Sequence, residues 1–84
     1  MKLSIKAMAI TFGLLWGAAM LIISTINMFR PDYAIDFLNI IASVYPGYEA
    51  GEGLKSVIIG TLYAVFDAAI GGAIFAWVYN FFVK

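Results

Sequence analysis

Two long stretches of this chain are apolar on every face. Between Lys6 and Arg30 no residue is charged, and a helix over residues 7–29 would be about 35 Å long, enough to cross a hydrocarbon core of about 30 Å. Residues 7–29 are therefore read as a first transmembrane helix. Residues 56–83 carry one charge, Asp67, and close on Trp77, Tyr79, Asn80, Phe81 and Phe82, the composition of an interfacial aromatic belt. They are read as a second transmembrane helix.

A secretory signal peptide is the rival reading at the N-terminus, because Lys2 and Lys6 precede an apolar run and Gly17-Ala18-Ala19 has the small residues of a cleavage site. The run continues unbroken to Phe29, longer than a signal h-region, so a retained span is expected.

Residues 30–55 change character, holding Asp32, Asp36, Glu49 and Glu52 with Tyr33, Tyr45 and Tyr48. Asp32, Asp36, Asn39 and Ser43 recur at helical spacing, while Ala34, Ile35, Phe37, Leu38, Ile40, Ile41 and Val44 fill the other faces. This predicts a short amphipathic helix over about residues 32–45. It would lie in the headgroup plane or pack on a neighbouring protein. Pro46-Gly47 ends it, and Gly51 and Gly53 loosen the path into the second span. Tyr45, Tyr48, Trp77, Tyr79 and Asn80 are expected as interfacial anchors. The expected fold is all-α and a single membrane domain over residues 1–84: an integral membrane helical hairpin with an interfacial helix in its connecting loop.

Composition strengthens this reading. Hydrophobic residues make up 64% of the 84, and charged residues only 12%; a soluble chain this short buries only about 60% of its unfolded surface, so the lipid bilayer is the expected partner. Five basic and five acidic residues cancel, leaving no basic field for nucleic acid. The absence of Cys and His removes disulfides, thiolate nucleophiles, imidazole bases and the usual zinc, haem and iron–sulfur ligands. No cofactor, metal or enzyme activity is expected. Lys2, Lys6 and Lys84 on one side outnumber Arg30 and Lys55 on the other. This places both termini in the cytoplasm, for a multi-pass protein of a bacterial inner membrane.

Asp67 is the residue with chemistry. An ionised carboxylate near mid-membrane costs about 2.5–3.5 kcal/mol even on the lenient insertion scale, so it needs a partner or a proton. Lys55 and Lys84 lie about 18 Å and 26 Å away along the same helix, out of reach. At 100° per residue Gly60, Ala64, Asp67 and Gly71 share one face within about 60°, which would set the carboxyl in a groove of small residues where another backbone approaches closely. Ala9, Gly13, Gly17, Met20 and Ser24 form a matching stripe on the first span, and a second row, Ala68, Gly72, Ala76 and Asn80, runs beside the Asp67 face. Hairpin packing accounts for one such face, and a surplus favours homo-oligomers or a larger membrane complex. Trp16, deep in the first span, is a candidate hydrogen-bond donor to Asp67. Two roles stand open for Asp67: an ion or proton site that lines a pore, or a protonated side chain that holds helices together.

A hairpin with an Asp in mid-second helix resembles in outline the proton-carrying c subunit of rotary ATP synthases. It lacks that family's alternating glycine motif and very short loop. A closer likeness rests on Ser43 to Tyr48 (Ser-Val-Tyr-Pro-Gly-Tyr), Gly60 to Tyr63, Asp67, Gly71 to Ala73 and Ala76 to Asn80. In that order these resemble small two-span bacterial membrane proteins labelled bacteriophage holin. The likeness covers mainly residues 43–80; the charged C-terminal tail usual in that class is not among these residues. It implies self-association in the inner membrane and a hole that releases or activates a cell-wall hydrolase. The alternative is a non-catalytic accessory subunit of a larger membrane complex.

Overall fold

The computed structural model describes residues 1–83 and places them in three helices: α1, Ile5–Phe29; α2, Ile35–Val44; and α3, Leu54–Phe82. α1 begins where Ser4 accepts a hydrogen bond from the Ala7 N–H at 3.1 Å, satisfying one of the free amides of the first turn. It therefore starts two residues before the expected boundary and takes in Lys6. It ends ahead of Pro31, as the residue before a proline resists helical geometry. α3 likewise begins two residues early, after Gly53, which holds a positive φ of 63°.

α1 and α3 pack antiparallel along their whole length. A Cβ added to Gly13 would meet the Val65 carbonyl oxygen at 3.0 Å, and one added to Gly72 would meet the Met8 carbonyl oxygen at 2.5 Å. The helices thus approach to a distance that only glycine allows. At the far end Asn80 clasps the backbone of Leu3 twice, accepting from its N–H and donating to its carbonyl, each at 2.7 Å. The resulting body measures 49 × 19 × 17 Å. Its outer surface is apolar, with Ile10, Leu14, Leu15, Ile22, Ile58, Leu62, Phe66, Ile70 and Ile74 all exposed. Both long helices are long and apolar enough to cross a membrane.

The connecting segment does not stand apart from this hairpin. Asn27, buried near the end of α1, donates to the Pro31 carbonyl at 3.0 Å and the Tyr33 carbonyl at 2.8 Å. Ala34 then takes a left-handed φ of 53° and reverses the chain. So residues 32–34, expected as helix, form the turn instead, and α2 runs back alongside α1 and α3. Part of its apolar side is covered: Leu38 packs in one cluster with Met20, Tyr45, Tyr48 and Ala64, and Phe37 meets Trp16 edge-on at 6.2 Å, while Ile40 and Val44 stay exposed.

At its far end the chain turns through Tyr45-Pro46-Gly47-Tyr48. The Tyr48 N–H donates to the Tyr45 carbonyl at 3.1 Å, and Gly47 has a φ of 84°. These are the hydrogen bond and the left-handed third position of a type II turn, with proline second. The chain then climbs back to α3, where the Ser56 hydroxyl donates to the Glu49 carbonyl and accepts from the Glu52 N–H at 2.8 Å. The connection thus returns toward the hairpin as helix and leaves it as coil, touching it through the side chains of Phe37, Leu38, Tyr45 and Tyr48.

Candidate functional site: the Trp16–Tyr45–Asp67 chain

Each of the three structural pieces supplies one member of a hydrogen-bonded chain. The Trp16 indole N–H, from α1, donates to the Tyr45 hydroxyl at 3.1 Å. That hydroxyl, from the turn after α2, donates to Asp67 Oδ2 on α3 at 2.8 Å. Trp16 has no acceptor atom on its ring and an ionised Asp has no donor, so the phenol, which does both, is the group able to join them. Tyr63, one turn before Asp67, stacks on Tyr45 at 4.9 Å with the rings 16° apart. Its hydroxyl donates to the Pro46 carbonyl. Two tyrosines thus pin the turn against α3.

The site lies far from either end of the hairpin. Asp67 comes 13 residues after Leu54, and Trp16 comes 13 residues before Phe29; each spacing is about 20 Å along its helix. Asp67 is exposed on the outer surface, among Leu62, Phe66 and Ile70. Tyr45 holds one carboxylate oxygen from the side.

Several sequence expectations change at this point. Asp67 and Trp16 belong to one site, but through Tyr45 rather than by direct contact. Tyr45 and Tyr48, expected as interfacial anchors, are 5% and 2% exposed; they are core residues, because the turn carries them inward. Tyr48 fills the space over Gly60, where an added Cβ would meet its ring at 2.8 Å. Asn80 ties the two chain ends together. Trp77 and Tyr79 do face outward, at 61% and 43% exposure.

The packing faces also regroup. On α1, Gly13, Gly17, Met20 and Ser24 are buried and Ala9 is half-buried. On α3 the buried positions other than Val57 follow every fourth residue: Ser56, Gly60, Ala64, Gly72 and Ala76, with Ala68 half-buried and Asn80 last in the row. Such a row drifts about 40° per step around a helix of 3.6 residues per turn. It therefore serves several partners in succession: the loop at Ser56, Tyr48 at Gly60, and α1 at Gly72. Asp67 and Gly71 fall outside it. Gly71, expected in the packing groove, is exposed and has nothing within 4 Å of an added Cβ.

Among the described residues no cluster of acidic side chains has the spacing to hold a metal ion. The chemistry on offer is that of one carboxyl with a fixed phenol donor and one open oxygen, able to take a hydrogen bond, a proton or a cation from outside. No family model matches this chain, and neither a curated protein nor a solved structure matches it.

Proposed function

We propose that the chain is a non-catalytic protein of a bacterial inner membrane that crosses the bilayer with α1 and α3, both termini in the cytoplasm. In this reading it works as a holin-like homo-oligomer whose assembly encloses a polar path with Asp67 on its wall. The observation that carries this is the position of Asp67, exposed on an apolar outer surface at the mid-length of the hairpin. Facing lipid, its ionised form would cost about 2.5–3.5 kcal/mol or more. Association of copies around that face removes the cost, and the open space at Gly71, one turn further on, lets a neighbouring backbone come close.

The small-residue row of α3 is already used within the chain, so self-association falls to the Asp67–Gly71 patch and its surroundings. That narrowness favours a second reading, in which the patch takes one helix of a larger membrane complex and the chain is an accessory subunit. Expression in a bacterial cell separates the two. A hole-forming assembly depolarises the cell by itself, and Asp67→Asn shifts the time of onset. Harmless expression, with the protein recovered bound to a larger partner, supports the accessory reading and ends the hole-forming one.

A further inference from the structure

The outward side of α2 carries a row of polar residues that a hairpin in lipid has no use for. Asp36, Asn39 and Ser43 are all exposed, with Asp32 exposed above them in the preceding turn. Asp36 and Ser43 lie opposite the buried Leu38, and exposed Ile40 and Val44 flank them. α2 is about 15 Å long and leads directly into Tyr45, whose hydroxyl reaches Asp67. The row therefore runs from the loop end of the molecule toward its middle, and the exposed Asp67 is its last member.

Lipid is a poor cover for such a row, because carboxylate and amide groups moved out of water without partners lose several kcal/mol each, although the Ser43 hydroxyl donates to the Ile40 carbonyl. A position in the headgroup layer relieves the start of this row but not its end. Tyr48 over Gly60 and Tyr45 stacked on Tyr63 hold the turn after α2 about 9–14 Å along α3 from Leu54, beside exposed Ile58 and Leu62, and the Tyr45 side chain spans the remaining distance to Asp67. Beyond Asp67 the polar row stops. Gly72 is closed against Met8 and Phe12, Phe12 packs on Phe75 at 5.4 Å, and Ile70 and Ile74 face outward.

We propose that Asp32, Asp36, Asn39 and Ser43 form one wall of an aqueous half-channel that admits water from the loop side only and ends at Asp67. This rests on the membrane-spanning, self-associated reading above, since neighbouring copies supply the other walls. Asp67 is then solvated from one side of the membrane and sealed from the other.

The chain has no cysteine, so single thiols introduced at Asn39, Ser43 and Asp67 report on water directly, with Phe66→Cys and Ile70→Cys as lipid-facing comparisons. A charged, membrane-impermeant thiol reagent is added to sealed right-side-out or inverted vesicles. Only a hydrated thiol forms the reactive thiolate, so positions 39, 43 and 67 should react from the loop side about tenfold or more faster than 66 and 70, and about tenfold or more faster than from the opposite side.

Ser43→Cys leaves the Tyr45–Asp67 bond intact and keeps the test valid if Asp67→Cys fails to fold. Reaction at position 43 no faster than at 66, or reaction at 67 equal from both sides, overturns the half-channel. A homo-oligomeric particle with inert positions 43 and 67 would overturn this inference alone, whereas a monomeric particle would overturn the reading beneath it.

Discussion

Three glycines separate what a missing side chain does here. Gly47 has open space around it but sits at φ 84°, so Gly47→Ala should cost about 1–2 kcal/mol through backbone strain alone. Gly71 also has open space but is helical, so Gly71→Ala should leave the hairpin unchanged or stabilise it by up to about 1 kcal/mol. Gly72 is helical with a backbone carbonyl at 2.5 Å from the added carbon, and Gly72→Ala should cost about 1–3 kcal/mol by overpacking. Unfolding of the three variants from mild detergent checks the order. Equal losses at Gly71 and Gly72 would contradict the packing described for α3. The chemical importance of Asp67 was legible in the sequence, as a lone charge in a long apolar run must be accounted for. Its phenol partner was not. Tyr45 lies 22 positions away, and helical periodicity says nothing about where a turn residue will dock.

At the scale of elements, α1 and α3 were readable to within two residues because uninterrupted apolar length needs no tertiary information. The amphipathic pattern of α2 was readable too, but a pattern fixes which side is apolar and not what covers it. Here the cover is the hairpin itself, through Leu38, Phe37 and the Tyr45–Asp67 bond. Nor did the sequence show that Tyr45 and Tyr48 would be covered by the chain itself. If that bond holds the end of α2 in place, Tyr45→Phe should cost about 0.5–2 kcal/mol, the range for hydrogen bonds between membrane helices. Faster amide hydrogen exchange should then appear in residues 35–48 with α1 unaffected. Exchange unchanged in α2 would mean that apolar packing alone secures it.

At the scale of the whole molecule, the hairpin leaves the carboxyl of Asp67 exposed on an apolar surface with one oxygen held by Tyr45, and a membrane would give that feature a consequence. In the proposed reading, Asp67 on a lone copy would face hydrocarbon, and on an assembled copy protein and water. The exposed polar residues of α2, Asp36, Asn39 and Ser43, lead into the turn that carries Tyr45 to Asp67. The most direct test is the mass of the intact particle after gentle detergent extraction from the native membrane, with every component identified. The account predicts a homo-oligomer that Asp67→Leu shifts toward smaller species. A monomer, or a stable complex with a different protein, would contradict it.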